Sequence, residues 1–526
     1  MTLSCLSKAT YDKEKEIDKT MNSFMNGLTD TFNYGYTENG GIKHNTTKSM
    51  LLDMFAMGAA MRKRSDHDVV LMFKNAYEEN PEYALKCLFY IRDVRGGQGE
   101  RRFFRVCMNW LANVHTEAAR RNMEYIAEFG RWDDLYCLVG TPLEKEMFAF
   151  LRKQLILDAE CKTPSLLAKW LKSENASSQE TKVLGEKTRK AFGLTHRQYR
   201  KILSELRKRI NVLERLMSAG KWDEIEFDKI PSKAGLMYKN AFARRDIIKE
   251  KYAAFAKDTT KKVNAATLYP YEVVEKALRI NDYGYGWSNS ETDRAMVNKY
   301  WDNLTDYFNG ANLNALAIVD TSGSMHGTPI NVAISLGLYC AERAGGPFAN
   351  HYISFASRPQ LIKCEGRDFV DKVQRIYRTN LVDNTNIEAA FDLLLDTAVR
   401  NHCPQEDLPQ NILVISDMEF DSAAGGNSYY DYRMNRYMRS NGMTRSNAET
   451  VMEGIAKKWA AAGYKMPHLI YWNCDARQNN IPMLGNGPIS YVSGFSPSIF
   501  QTIMTGKTGY QLMMETLNRD RYSVIH

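Results

Sequence analysis

Carboxylate and hydroxyl side chains follow the end of an apolar run in the second half of the chain. The run starts at Leu313 and ends at Asp320, and Ser322 and Ser324 follow at alternate positions on a predicted tight turn. Such oxygens are the hard ligands that Mg²⁺ prefers, and Mg²⁺ commonly keeps waters or an open position for an outside ligand. The spacing therefore predicts a divalent-cation site at the tip of this strand.

Two later positions complete the predicted site. Asp417 ends a second apolar run that starts at Asn411, and Thr385 lies just before a predicted helix that starts at Ile387. In a parallel sheet, ligands bind beyond the carboxyl ends of the strands. The alternative is a serine-rich turn with an unrelated threonine and aspartate. The predicted metal-binding residues are Asp320, Ser322, Ser324, Thr385 and Asp417.

This three-segment pattern resembles the metal-ion-dependent adhesion site of von Willebrand factor A domains. The resemblance covers the chain from Leu313 to its C-terminus. It implies that Ser322, Ser324 and Thr385 contact Mg²⁺, or another hard divalent cation, and that the two aspartates hold it directly or through water. It also implies that an acidic side chain of a protein partner is accepted at this site.

The composition indicates a soluble chain with more than one domain. The chain has 526 residues, 44% of them hydrophobic, with a formal net charge of +8, so an anionic partner is permitted but not required. The nine cysteines are scattered and follow no metal-binding spacing. With no secretory leader and no apolar stretch long enough to span a membrane, the sequence predicts a cytoplasmic protein, and we expect a monomer.

The periodicity of apolar residues divides the chain into three parts. Residues 1–45 are polar and are predicted to form an N-terminal arm. Residues 46–308 show apolar positions at three- and four-residue spacing throughout, which predicts amphipathic helices stacked in pairs. Residues 309–526 alternate short apolar runs with helices, which predicts a parallel sheet covered on both faces, a doubly wound α/β domain.

The glycine-rich segment at residues 92–101 carries a cluster of arginines. Its glycines allow backbone amides to approach a phosphate, with Arg92, Arg95, Arg101 and Arg102 beside them. An equally supported interpretation is a turn between helices with solvated arginines. The segment has no Gly-Lys-Ser or Gly-Lys-Thr, so a nucleotide P-loop is not indicated.

A second basic segment is more one-sided in charge. Residues 182–221 contain 12 Lys or Arg against 3 Glu, and several basic residues recur at helical spacing. A solvated helix face and a surface that binds phosphate backbones are both consistent with this pattern. The candidate RNA-binding residues here are Lys187, Arg189, Lys190, Arg197, Arg200, Lys201, Arg207 and Lys208.

The order of these segments resembles the TROVE-module proteins, the family of the Ro ribonucleoproteins. The resemblance is carried by Arg-Asp-Val-Arg-Gly-Gly-Gln-Gly-Glu-Arg at 92–101, Gly-Arg-Trp-Asp-Asp-Leu at 130–135 and the basic stretch 230–245, followed by the A domain. It implies a ring of HEAT-like helical repeats closed by the A domain. It further implies binding of small structured noncoding RNA, and of the single-stranded ends of defective RNA.

We therefore expect a non-enzymatic RNA-binding scaffold with a Mg²⁺ site. Tyr and Arg residues at 429–439 are suited to stacking and phosphate contacts, or to a packed insertion. The main alternative function is a metal-dependent protein-protein adaptor without RNA. A hydrolase is disfavoured because the predicted site offers no positioned base; the nearest in sequence, His326, lies on a turn.

Overall fold

The computed structural model describes residues 32–210, 213–280, 291–308, 314–355, 358–379, 386–420, 450–484, 489–503 and 507–526. Thr385, the 429–439 segment and most of the predicted N-terminal arm lie outside these ranges. Within them, a helical region is followed by an α/β region that contains one six-stranded sheet. The chain is thus a helical array joined to an α/β domain.

The helical region consists of amphipathic helices, most of them short. Their starts carry sequence signals: Ser49, Ser65 and Asn80 each accept a backbone hydrogen bond as N-caps. The helices are α1 Met50–Met57, α2 Asp66–Glu79, α3 Pro81–Arg92, α4 Arg102–Val114, α5 Thr116–Asn122, α6 Ile126–Phe129, α7 Glu144–Glu160, α8 Leu167–Trp170, α9 Gln179–Ala191, α10 His196–Arg209, α11 Leu213–Ser218, α12 Ser232–Arg244, α13 Asp246–Lys257, α14 Pro270–Ala277 and α15 Glu291–Asp302.

Before the first helix, a two-stranded hairpin is formed by β1 (Tyr34–Tyr36) and β2 (Ile42–His44). It belongs to the segment predicted as an arm. The hairpin is docked on the α/β domain, because the backbone amide and carbonyl of His44 exchange hydrogen bonds with Ile481. This part of the chain is therefore held by long-range contacts.

The α/β domain contains a sheet whose strands are parallel except at one edge. The spatial order is β5-β4-β3-β6-β7-β8, and only β5 runs antiparallel to its neighbour. The strands are β3 Ala315–Asp320, β4 His351–Phe355, β5 Gln360–Lys363, β6 Asn411–Ser416, β7 His468–Asn473 and β8 Ile489–Ser493. The helices are α16 Thr328–Arg343, α17 Phe369–Thr379, α18 Ile387–Arg400, α19 Val451–Ala461, α20 Phe500–Ile503 and α21 Gly509–Leu517.

Alternate residues of the strands enter two different hydrophobic cores. Leu316 and Ile318 of β3 pack in a core with α1–α10, α18 and α19. Ala317 and Val319 pack in a second core with α11–α17. Because side chains alternate across a strand, the two faces of the sheet belong to different cores, and each core also contains helices of a different half of the helical region. The boundary between the halves falls at residues 207–212.

Both ends of the helical array contact the α/β domain. The first helix, α1, packs against β8 and α21, and near the other end α14 packs against α16 and α17. The last turn of the chain adds to the first of these contacts: Arg521 pairs with Asp93 (Nε to Oδ2, 2.5 Å), and the Tyr522 hydroxyl donates to the same carboxylate. The α/β domain thus joins the two ends of the array.

None of the helices in the described ranges is long and apolar enough to cross a membrane.

Candidate metal site and nucleic-acid interface

The predicted metal-binding residues lie at the point where the strand order of the sheet reverses. From β3, the chain goes to β4 and β5 on one side and to β6, β7 and β8 on the other. Val319 of β3 pairs with Ile415 of β6, which brings Asp320 beside Ser416 and Asp417 at the carboxyl edge. In doubly wound sheets this crevice between neighbouring strands is where ligands bind.

The carboxylate of Asp320 is fully buried and is held by neutral donors. Its Oδ1 accepts from the Ser322 amide at 2.9 Å, and its Oδ2 accepts from the Ser416 hydroxyl at 2.5 Å. The Ser322 and Ser324 hydroxyls lie 3.0 Å apart. Two of the predicted hydroxyls are thus gathered at the buried carboxylate by the short helical turn that starts at Gly323.

Asp417 is the second buried carboxylate of the site. Its Oδ1 accepts a hydrogen bond from the Glu419 amide. The next residue, Met418, adopts a left-handed conformation (φ 63°), so the chain turns directly after Asp417. Burial, followed by the charge of Asp417, raises the pKa of Asp320 to about 7. Burial also raises the pKa of Asp417, although Arg477 acts in the opposite direction. Holding two like charges close together in a buried site costs free energy, and a bound cation would remove that cost.

These residues fit a hard divalent cation. Two buried carboxylates and two serine hydroxyls supply oxygen donors of the type that Mg²⁺ prefers. The described ranges contain no cluster of three or more His, Cys, Asp or Glu side chains that could hold a metal, at this edge or elsewhere, so the candidate site depends on the hydroxyls as well as the two carboxylates. Asp320, Ser322, Ser324 and Asp417 would hold the ion, which would neutralise the acids and leave positions for an outside oxygen ligand.

Arg477 is the feature of this edge that sequence reasoning missed. Its Nη2 lies 2.5 Å from Asp417 Oδ2, and its Nη1 lies 2.8 Å from Glu38 Oε2 in the hairpin turn. The arginine is 60 residues from Asp417 in the chain. Only the fold brings the two together, so no local pattern could have indicated the pair.

The second candidate site is one side of α10, the cationic face, defined as Arg197, Arg200, Lys201, Arg207 and Lys208. The helix begins with a capping box at Thr195 and Gln198, and it buries Tyr199, Leu203 and Leu206 on the opposite side. Four of the five cations are exposed and recur at helical spacing, whereas the Arg207 guanidinium turns inward to the Ala168 and Leu171 carbonyls. No acidic partner pairs with them in the part of the chain that the structure describes.

The basic residues of α9 are placed differently from those of α10. Lys187 pairs with Glu144 at 2.8 Å, Arg189 with Glu174 at 2.7 Å and Lys190 with Glu186 at 2.8 Å. Their charges are therefore largely compensated within the protein. The sequence predicted both helices as one basic surface, and the fold separates a neutralised helix from an uncompensated one.

A pocket of about 640 Å³ lies beside the cationic face, at the boundary between the two cores. Arg207 lines this pocket. Its Nε donates to the Ala168 carbonyl, and its Nη2 donates to the Leu171 carbonyl and the Ser173 hydroxyl. All three acceptors are neutral oxygens. Burial lowers the pKa of Arg207. Across the pocket, Arg215 has its Nε buried without a hydrogen-bond partner among the described residues.

The first arginine of the glycine-rich segment is part of the interior. Arg92 is 2% exposed, and its Nη2 pairs with the buried Asp134 at 2.6 Å. Arg105 binds the same carboxylate at 2.7 Å. Arg92 is therefore unavailable to a phosphate.

The glycines of this segment serve close packing. Gly99 has a positive φ of 68°, and a Cβ there would collide with the Tyr269 hydroxyl. A Cβ at Gly97 would collide with the Tyr90 carbonyl. These contacts match the interpretation of a packed turn, with no cradle left for an anion.

The remaining arginines of the segment lie nearer the surface. Arg95 donates to the Glu128 carbonyl at 2.5 Å, and Arg102 pairs with Asp66. Arg101 is exposed at the start of α4. Of the four, only Arg101 has neither an acidic partner nor a backbone acceptor in the described structure, so this turn presents much less free charge than α10.

The model of a family described as a domain of unknown function, DUF2828, matches residues 37–191 and 155–310, together just over half of the chain. The chain belongs to this family. A second model, the domain of unknown function DUF7788, matches residues 314–521. The boundary between the two matches coincides with the change from the helical to the α/β region.

Similarity to individual proteins extends over most of the chain. The uncharacterized protein L728 of Acanthamoeba polyphaga mimivirus is 29% identical over 524 residues, covering 90% of this chain and 85% of that protein. The crystal structure of the Ro (RSR) protein of Deinococcus radiodurans aligns with 88% of this chain and 99% of that chain, at 12% identity and a TM-score of 0.39.

Proposed function

We propose that this protein is a non-enzymatic scaffold that binds single-stranded RNA through the cationic face of α10, with a Mg²⁺ site at the edge of the sheet. The observation that carries the proposal is the lack of acidic partners along that face in the described structure, in contrast to the paired cations of α9. Cations left uncompensated in this way attract a polyanion.

The dimensions of the face suit a stretch of phosphate backbone. From Arg197 to Lys208 the helix axis spans about 16 Å at 1.5 Å per residue. Binding there would release counterions from the RNA, so affinity would fall steeply with salt. The face offers charge without a base-reading motif, so we expect little dependence on base sequence.

The adjoining pocket supplies a place for one nucleotide. Its volume of about 640 Å³ lies in the range of small-ligand sites. Tyr199 and Leu203 contribute apolar wall, and the charged lining is net positive, with Lys169, Arg200, Arg207 and Arg215 against Glu174 and Glu214. An unpaired nucleotide can enter such a pocket, whereas a base inside a duplex cannot. We therefore expect single-stranded tails to bind better than blunt duplexes.

The architecture supports the scaffold part of the proposal. The helical array contacts the α/β domain near both of its ends, as a closed ring requires. The sequence resemblance to TROVE-module proteins suggests the kinds of RNA: small structured noncoding RNA and the free ends of defective RNA. Each of the two hydrophobic cores also contains residues of both the array and the α/β domain.

A metal-dependent protein-protein adaptor is the second candidate function. It is favoured by the buried pair Asp320 and Asp417 with two hydroxyls beside them, an arrangement that leaves a bound cation open to an acidic side chain of a partner. This candidate needs no contribution from α10.

Filter binding across a salt series tests the RNA proposal. The variant Arg200→Gln/Lys201→Gln removes two cations of the cationic face. Its matched control, Lys187→Gln/Lys190→Gln, removes two cations that are already paired with acids. We expect the first variant to bind single-stranded RNA more weakly, with the slope of log K against log salt reduced by about 1.4, or about 0.7 per lost phosphate contact. The control should keep the parent slope.

Equal slopes for the two variants would reject the cationic face as the binding surface. No measurable affinity of the parent at low salt would reject RNA binding and leave the adaptor as the better account.

A further inference from the structure

The side chain of Arg477 lies among three carboxylates at the metal edge. Its Nη2 lies 2.5 Å from Asp417, its Nη1 lies 2.8 Å from Glu38 and its Nε lies 4.0 Å from Asp475. Asp475 has a second cation, Lys63, at 2.6 Å. Arg477 is the residue that connects the metal edge to the N-terminal hairpin through charge.

Within the described structure, Arg477 is the cation that neutralises the buried aspartate pair. Asp320 receives hydrogen bonds only from neutral groups there, and Asp417 has an ion pair with Arg477 alone. A divalent cation at this site would use the same carboxylate oxygens and would repel the guanidinium. The arginine and a bound cation would therefore neutralise the same negative charge.

The other anchor of Arg477 is held firmly in place. Glu38 belongs to the turn between β1 and β2, and its amide donates to Glu419 Oε2 at 2.6 Å. The residues on either side of Glu38 are held as well. The Thr37 hydroxyl donates to the Phe420 carbonyl at 2.6 Å, and the side-chain amide of Asn39 donates to the Glu419 carbonyl at 2.5 Å. The backbone of Glu38 is thus held in place, which keeps its carboxylate within reach of Arg477 whatever occupies Asp417.

We propose that Arg477 competes with a divalent cation for the carboxylate of Asp417. Without the metal, the guanidinium is paired with Asp417 and Glu38. When Asp417 binds the cation, the guanidinium stays paired with Glu38 alone. The inference rests on the proposed metal site and is independent of RNA binding. Its consequence is that the hairpin turn sets the metal affinity of a site in a domain that begins more than 270 residues later.

The test is the affinity for Mg²⁺ alone, measured by calorimetric titration and by the Mg²⁺-dependent shift in Tm. Arg477→Gln should bind Mg²⁺ about tenfold more tightly, since one charge-assisted hydrogen bond to Asp417 no longer has to be replaced. The matched control Lys63→Gln removes a cation of the same cluster that contacts Asp475 and not Asp417. It should leave the affinity close to that of the parent protein. Unchanged or weaker binding in Arg477→Gln would overturn the proposal, as would an equal gain in the control.

A second variant should change the Mg²⁺ affinity in the opposite direction, and it leaves the buried aspartates in place. Glu38 is 42% exposed, so Glu38→Gln should fold; it removes the alternative anchor and should weaken Mg²⁺ binding about threefold. Tighter binding in Glu38→Gln would contradict the competition. If neither the parent nor any variant, Arg477→Gln included, binds Mg²⁺ at millimolar concentration, the edge is not a Mg²⁺ site and the proposal fails together with the proposed metal site. RNA affinity measured on the same samples separates that failure from a failure of the RNA proposal.

Discussion

At the scale of single residues, the two candidate sites differ in how their charges are balanced. Asp320 and Asp417 are buried beside each other with one cation in contact, and both pKa values are raised. On α10, by contrast, Arg197, Arg200, Lys201 and Lys208 are exposed and form no ion pair with an acid in the described structure, although Glu205 lies one turn away on the same helix. We therefore expect the first site to favour a bound cation and the second to attract an anion.

Asp320→Asn should abolish stabilisation by Mg²⁺. The amide keeps an oxygen that can accept from Ser322 and removes the charge that repels Asp417, so the metal-free protein should unfold at the same Tm as the parent or higher. The measurement is Tm with and without Mg²⁺, with the exposed Asp396→Asn as control. An undiminished Mg²⁺ shift in Asp320→Asn would exclude this residue from a metal site.

Arg92→Ala should destabilise the fold without a direct effect on RNA. Removing Arg92 takes away one of the two cations that bind the buried Asp134 and leaves Arg105 as the other, so we expect a cost of about 3 kcal/mol in the free energy of unfolding, the low end for a broken buried ion pair. The exposed Arg95→Ala should change stability by no more than about 0.5 kcal/mol. Urea denaturation measures both. Similar small effects in the two variants would mean that Arg92 is not part of the interior.

At the scale of secondary-structure elements, the strands that contain an apolar run could be predicted from the sequence. The elements that are held by contacts with distant parts of the chain could not. β3, β6, β7 and β8 are continuous apolar runs, so the sheet and the positions of Asp320 and Asp417 follow from local patterns. β5 has mostly exposed residues, and the hairpin strands have three residues each. Neither carries enough periodicity to be recognised alone.

The neutralisation of α9 was also beyond local patterns. Lys187 is 43 residues from Glu144 along the chain, and Arg189 is 15 residues from Glu174. A count of charges finds the basic residues of a segment, but two of their acidic partners lie outside it: Glu144 on α7 and Glu174 in the loop before α9. The candidate site could therefore be predicted as a basic region, and only the fold identifies which helix retains the charge.

The positioning of α10 can be separated from its charge. Thr195→Ala removes the N-cap of this helix, whose hydroxyl accepts from the Gln198 amide, and should cost about 1 kcal/mol in stability. Because every cation remains, the slope of RNA affinity against salt should equal that of the parent. Denaturation and filter binding give the two quantities. A changed slope would indicate that the capping residue itself contacts RNA.

At the scale of the whole molecule, the sheet is the common partner of both halves of the helical region. Each hydrophobic core contains residues of both the array and the α/β domain. The terminal turn adds Tyr522, which packs against Tyr90 and Phe129 at centroid distances of 5.9 and 5.6 Å. The two regions should therefore unfold together.

Scanning calorimetry should show one unfolding transition for the parent protein. Tyr522→Ala empties a fully buried position between the two regions and should lower stability by about 3–5 kcal/mol, whereas Val524→Ala at a partly exposed position should cost much less. Two well-separated transitions in the parent would contradict the shared cores. A Tyr522→Ala protein as stable as Val524→Ala would contradict the docking of the terminal turn.

The central claim is that RNA occupies the cationic face and its pocket, and the most direct measurement is ultraviolet crosslinking of the protein recovered from its native cells. Sequencing of the attached RNA and mass spectrometry of the attached peptides would identify both partners. The account predicts single-stranded RNA segments on peptides within residues 169–218, with adducts lost in Arg200→Gln/Lys201→Gln and kept in Lys187→Gln/Lys190→Gln. Recovery of no RNA, or adducts confined to other surfaces, would contradict it.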